Sequence, residues 1–206
     1  MAASSPSSTL IAVEAASIFD VRQYSCAGTL YAILDACDAP AVAPKVSALG
    51  IERAVSLYRG DAEELHADIA PYLVRVDDEL LDWILTNLWG EPWGVLLVTT
   101  ADLAAVRTHF RKWLVVDAPS GESWYFRFYD PRVLPEYCAT CDASEVAEFF
   151  GPVQRYGVAD PECGVRWTRR ATPQETWAMG HPAVAPAPRI IVKLPPSTLP
   201  SPGPAE

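Results

Sequence analysis

The sequence predicts an α/β fold: a mixed β-sheet with helices packed on it, as a single compact domain with a Pro-rich C-terminal tail. Three observations predict it. Residues 29–34 (Thr-Leu-Tyr-Ala-Ile-Leu) are a short apolar run ending at Asp35, and residues 54–58 form a second, closed by Gly60. Residues 93–99 (Trp-Gly-Val-Leu-Leu-Val-Thr) are continuously apolar, the mark of a strand covered on both faces. Between these runs lie segments with apolar residues at helical spacing, which must bury their stripes on a sheet. Residues 1–10 are small and polar and read as a flexible lead-in, 11–180 as the domain, and 181–206 as a Pro/Ala-rich tail, mostly disordered when alone.

Taken in order, an apolar pattern over residues 11–19 reads as a short helix. After the strand at 29–34, Asp38, Pro40 and Pro44 punctuate a loop. Asp61 and Glu64 read as a capping box on a helix that Pro71 keeps short, and residues 72–76 alternate like a strand. Asp77 and Asp78 open a helix with Leu80, Leu81, Ile84, Leu85 and Leu88 on one stripe, and Gly90 ends it. Thr99 and Asp102 read as a second capping box. The helix after it carries Leu103, Val106, Phe110 and Leu114 inward, with Arg107, Arg111 and Lys112 near its negative end. Residues 115–117 lead through Pro119-Ser-Gly121 into the next strand as a hairpin. Residues 135–141 are a short turn or helix. Asp142 to Glu145 caps another helix, with Val146, Phe149 and Phe150 inward and Gly151-Pro152 as its stop. Residues 153–158 and 165–169 read as late strands, and residues 189–194 carry a brief strand signal inside the tail.

The most distinctive stretch is residues 124–133, Trp-Tyr-Phe-Arg-Phe-Tyr-Asp-Pro-Arg-Val. As a strand it places Trp124, Phe126 and Phe128 on one face and Tyr125, Arg127 and Tyr129 on the other. Pro131 removes a ladder donor and stops the strand, leaving Asp130 and Arg132 together at its rim. A buried Arg127 requires a carboxylate or carbonyls beside it. Strand ends after Asp35 and Asp130, if adjacent, allow Arg127 or Arg132 to bridge the two carboxylates. Loss of Arg127 to alanine is then expected to cost about 1–3 kcal/mol, because a buried acceptor loses its partner.

The net charge of -10 and the absence of a basic run exclude a nucleic-acid or anionic-membrane binder. The longest apolar stretches fall short of a membrane span, and residues 1–9 lack the charged start and apolar core of a secretory signal, which reads as a cytoplasmic chain. Cys26, Cys37, Cys138, Cys141 and Cys163 follow no disulfide framework. Cys138-Ala-Thr-Cys141 has zinc-knuckle or redox spacing but lacks a second pair, so inert reduced thiols are expected. His66, His109 and His181 are scattered, and phosphate-loop, nucleophile-elbow, HExxH and EF-hand patterns are missing. A binding protein is expected more than an enzyme, with no cofactor or metal.

The ordered pieces Tyr31-Ala-Ile-Leu-Asp35, Ser56-Leu-Tyr-Arg-Gly60, Ala70-Pro-Tyr-Leu-Val74, Trp93-Gly-Val-Leu-Leu97 and His109-Phe-Arg111 are followed by Phe126-Arg-Phe-Tyr-Asp-Pro-Arg-Val133 and Phe149-Phe-Gly-Pro152. Together they resemble the adaptor/chaperone family of bacterial type VI secretion, called Tap or TEC, whose domain is the domain-of-unknown-function family 4123. The resemblance spans residues 30–153. It implies a non-enzymatic cytoplasmic protein that binds a toxic effector and helps load it onto the VgrG spike. It carries over Tyr31, Asp35, Tyr58, Pro71, Trp93, His109, Arg111, Arg127, Asp130, Arg132, Phe150 and Gly151 as fold and pocket formers. Two departures stand out: a Pro-rich tail where many members look longer and helical, and His-Phe-Arg in place of the commoner His-Leu-Arg. The competing readings are a hydrolase using Asp130, Arg127 and His109, and an immunity protein that blocks a toxin.

Overall fold

The two most apolar runs become neighbours at the centre of the molecule. In the computed structural model, β2 (Leu30–Asp35) pairs antiparallel with β5 (Gly94–Val98), Leu30 opposite Val98 and Ile33 opposite Val95, and every residue of both strands is buried. The structure describes residues 10–117 and 123–178. The expectations for the lead-in at 1–9, the turn at 119–121 and the Pro/Ala tail with its strand signal lie outside them. Five more strands complete the sheet: β1 (Ile11–Ala16), β3 (Ala54–Ser56), β4 (Pro71–Arg75), β8 (Arg155–Asp160) and β9 (Gly164–Arg170). Their order across the sheet is β1-β9-β8-β5-β2-β4-β3, with every pairing antiparallel. A separate hairpin joins β6 (Val115–Asp117) to β7 (Ser123–Tyr125).

Strand alternation gives the sheet two covered faces. Register places Leu30, Ala32 and Leu34 with Leu96 and Trp167 on one face. There α1 (Ile18–Cys26) packs on β2, β9 and α4 (Asp78–Asn87), with Tyr24 edge-on to the Trp167 ring at 5.7 Å. The stripe of α4 buries Leu80, Leu81 and Ile84 as its spacing predicts, and Asp77 accepts from the Leu80 N–H at 2.9 Å as the cap. Nearby, α2 (Val42–Leu49) lies on β3, and its Lys45 sits 5.5 Å over the Trp83 ring of α4. The opposite face carries Tyr31, Ile33, Asp35, Leu97 and Tyr156. It is roofed by α5 (Leu103–Phe110), α6 (Leu134–Thr140) and α7 (Ala143–Phe150) through an aromatic core. Phe110 stacks on Phe128 at 5.1 Å and Phe149 on Tyr156 at 5.0 Å. At Gly94, φ is 139° and a Cβ would lie 1.9 Å from the Ile33 carbonyl oxygen, so only glycine lets β5 start against β2.

Several local expectations are corrected. Residues 11–16 form β1, not a helix: the alanine-rich segment yields its helical preference to pairing with β9, and the helix begins only at Ile18 behind a Ser17/Asp20 capping box. The loop after Asp38 contains α2, whose Pro44 stands in the first turn, where a missing N–H costs no helical bond. The cap of α3 (Asp61–Leu65) is Gly60 rather than Asp61, and that of α5 is Asp102 rather than Thr99, whose hydroxyl instead donates to the Pro152 carbonyl. The largest correction concerns residues 126–133. The strand β7 stops at Tyr125, and the chain continues through turns into α6. Its polar backbone is met by the Phe126 N–H on the Leu114 carbonyl and by Asp130 and Val133 N–H groups closing local turns. Phe126, Arg127, Phe128, Tyr129 and Asp130 are nevertheless all buried.

Candidate functional site

Asp35 ends β2, and Asp38 follows it by three residues in the connection to α2. The turn segment after β7 brings two arginines down onto them. Arg127 donates to Asp35, and its Nη2 also donates to Asp38 Oδ2 at 2.9 Å. Arg132 donates to the same Asp38 oxygen at 2.9 Å and grips Asp130 through Nε at 2.8 Å and Nη2 at 2.6 Å. Asp38 therefore links the two arginines, and the expected Asp35/Asp130 bridge runs through it. The inner pair is dry, with Arg127 8% and Asp35 1% exposed, whereas Arg132 is 62% exposed. Asp35 is further held by its N–H on the Trp93 carbonyl at 2.8 Å and by the Cys37 N–H on its Oδ1 at 3.0 Å. The Arg127 guanidinium lies 5.9 Å over the ring of the buried Tyr129, and its Nε has no hydrogen-bond partner among the described residues.

Burial pushes the Asp35 carboxyl up against the pull of Arg127, while on Arg127 desolvation is outweighed by the Asp35 and Asp38 carboxylates, which hold the guanidinium protonated. Burial also raises the Tyr129 and Tyr58 phenols, so both stay neutral. On Asp130, desolvation is more than offset by hydrogen bonds from Arg132, and the carboxyl lies below its ordinary range. The cluster is a closed network of ion pairs with one solvent-facing member. Arg132 borders an open cleft of about 430 Å³, whose wall includes Trp89, Glu91, Pro92, Pro131 and Pro161.

A second group of the sequence-selected residues gathers along α5. Arg111 donates through Nε to the Leu57 carbonyl at 3.2 Å and through Nη2 to the Tyr58 carbonyl. Arg107, one turn earlier, donates to the Ser56 carbonyl at 3.0 Å, and both arginines hold Glu63 of α3. These side chains tie α5 to the segment after β3, a larger role than complementing a helix dipole. His109 donates from Nε2 at 2.9 Å to the Phe149 carbonyl in the last turn of α7, which also accepts from the Tyr156 hydroxyl at 2.8 Å. Its ring occupies the space over Gly151, where φ is 45° and a Cβ would stand 2.4 Å from the imidazole. Burial lowers the His109 pKa.

A family model described as a domain of unknown function, DUF4123, matches residues 30–148. The chain belongs to the DUF4123 family. No curated protein and no solved structure matches it. The DUF4123 match opens on the first residue of β2 and closes inside α7, so it takes in both arginine groups. Strands β1, β8 and β9 lie outside it, as do Phe150 and Gly151.

The remaining sequence-selected positions of this DUF4123 chain are spread through the core. Tyr31 donates from its hydroxyl to the Ala101 carbonyl at 3.2 Å, Pro71 begins β4 opposite Asp35, and Tyr58 packs 6.2 Å from Tyr125. Trp93 is buried against Trp89 at 6.2 Å, and Phe150 packs edge-on to Tyr156 at 4.9 Å. His109 and the Arg127–Asp130 cluster make no shared hydrogen bond or ion pair. In the sequence Asp38 stands out only as loop punctuation. The signal for it is its spacing three residues after Asp35, which gives two carboxylates to two arginines. Cys138 is buried in α6, and burial pushes its thiol up to about 12, which keeps it protonated and unreactive. Among the described residues, no group of three His, Cys, Asp or Glu side chains could hold a metal ion, and no helix is long and apolar enough to cross a membrane.

Proposed function

We propose that this DUF4123 protein is a cytoplasmic adaptor that binds a type VI secretion effector and promotes its loading onto the VgrG spike, without catalysis of its own. The observation that carries the reading is the division of the charged cluster. Arg127 is engaged inside the fold by Asp35 and Asp38, while Arg132 stands 62% exposed beside a cleft walled by Trp89, Pro92, Pro131 and Pro161. A mostly apolar cleft whose charged lining is Arg132 and Glu91 is suited to a protein partner, the charges setting register and the rings supplying contact area. The side chains that a hydrolase reading would use are committed elsewhere. Arg127 and Asp130 are committed to ion pairs, and the Nε2 of His109 holds the end of α7. These commitments favour a scaffold over an acid–base site.

The test is co-expression with the toxic effector encoded at the same locus, followed by capture on the tagged adaptor and then on the spike. Recovery of an adaptor–effector complex that passes its effector to VgrG is the expected result. A monodisperse protein that ignores both would sink the proposal. A complex that forms but abolishes the toxin's activity in a direct assay, without delivery to the spike, would convert it to an immunity function.

A further inference from the structure

The cleft beside the start of β5 is built by three separated pieces of chain, and each is pinned. Trp89, Glu91 and Pro92 come from the α4–β5 connection, where the Glu91 N–H donates to the Leu88 carbonyl at 3.1 Å and the Trp93 N–H to the Glu91 carbonyl at 2.9 Å. Pro131 and Arg132 come from the turn after β7, held by the Arg132 N–H on Asp130 Oδ1 at 2.9 Å. Pro161 comes from the β8–β9 turn, where Asp160 Oδ1 accepts from the Glu162 and Cys163 N–H groups at 2.9 and 3.1 Å. Walls fixed by their own backbone lose little ordering entropy when a partner arrives. The two charged side chains of the lining have opposite signs and do not pair with each other. Arg132 engages Asp130 through Nε and both Asp130 and Asp38 through Nη2, and its Nη1 donates to nothing among the described residues. Glu91 is exposed, and its carboxylate makes no hydrogen bond or ion pair among the described residues. The rest of the lining is apolar, with the partly buried Trp89 ring and three prolines as its largest surfaces.

We propose that this cleft receives a segment of the effector that carries a lysine or arginine for Glu91 and a carboxylate for the Nη1 edge of Arg132, together with an apolar side chain that covers Trp89. This rests on the adaptor reading and specifies the chemistry of its partner. Charge complementarity selects the occupant. A carboxylate that the fold leaves without a counter-charge favours a cation across the interface and repels an anion. The unused N–H groups of Arg132 are charge-assisted donors, which a carboxylate oxygen accepts best. A uniformly basic segment would satisfy Glu91 and meet Arg132 with like charge, and a uniformly acidic one would do the reverse. A segment with both signs satisfies both. Opposite charges at two fixed points also admit that segment in one direction, which sets its register. The volume of about 430 Å³ suits a few side chains of a short segment. Glu91 thereby becomes a second specificity residue of the cleft, of equal standing with Arg132.

Quantitative capture of the co-expressed effector by charge variants of the full chain tests this, with each melting temperature measured first as the check on folding. Glu91→Gln keeps the shape of the side chain and removes its charge, and capture is expected to weaken about three- to tenfold. Glu91→Lys should weaken it further, because the effector's cation then meets a like charge. Added salt should narrow the gap between wild type and Glu91→Gln, since the lost contact is electrostatic. In Glu91→Gln/Arg132→Gln the two fold-losses should multiply, because the side chains meet different groups. Undiminished capture by folded Glu91→Gln, or stronger capture by Glu91→Lys, overturns the proposal and leaves the adaptor reading standing. A double variant no weaker than either single variant overturns it too, since both charges would then serve one group. A wild-type chain that captures no effector removes the adaptor reading and this inference together.

Discussion

Arg127 and Arg132 stand five residues apart, share one oxygen of Asp38, and live in opposite environments. The first is sealed under aromatic rings with Asp35, and the second lies at the cleft rim with Asp130. The role of each ion pair is set by its access to water, not by its chemistry. A desolvated guanidinium left without its carboxylate is expensive, so the inner pair constrains the fold. A hydrated one loses little when its partner goes, so the outer arginine is free to be used in recognition.

The sharpest way to break this comparison is to cut the inner pair. Arg127→Ala leaves the Asp35 carboxylate buried and uncompensated, which raises the expected cost from the about 1–3 kcal/mol of a lost hydrogen bond to about 3–5 kcal/mol in a urea titration. The double change Arg127→Met/Asp35→Leu should recover most of that loss, because both charges leave together. A double variant as unstable as the single one would mean that Arg127 acts through something other than charge pairing. Next in size, Arg111→Ala strips donors from the Leu57 and Tyr58 carbonyls and from Glu63, and about 2 kcal/mol is expected by the same measurement.

His109 supplies a pH handle between the two extremes. Its folded pKa lies below the ordinary value of 6.5, so the neutral ring stabilises the fold fully above that pH, and the contribution is lost as pH falls toward the lowered value. His109→Gln should flatten the dependence of Tm on pH over the window just below 6.5, and an unchanged slope would show that another group titrates there. The smallest effect belongs to the outer arginine. Arg132→Gln, which keeps an amide donor, should cost about 1 kcal/mol, since solvent screens the charge of Arg132 but the buried Asp130 carboxylate loses its ion pair.

Much of the scaffold was legible because it obeys one period at a time. The runs of β2 and β5, the stripe of α4 and the Asp142/Glu145 capping box of α7 each stand where the pattern puts them. Misreadings fall where tertiary partners decide. β1 is helix-prone by composition and becomes a strand because β9 offers a ladder. Residues 126–130 show the uninterrupted burial of an inner strand, yet they are turns that aim aromatic rings into the roof of the sheet. The need of Arg127 for a carboxylate was readable from burial alone. That Asp38 would join both arginines was not, because it depends on where the β2–α2 connection passes.

That the buried half of the cluster builds the scaffold while the exposed half meets the partner is decided by capturing the co-expressed effector on Arg132→Gln, held well below its measured melting temperature. At least about tenfold weaker capture by the folded variant is expected, from the loss of a charge-complementary contact at a protein interface. Undiminished capture by folded Arg132→Gln protein would contradict it.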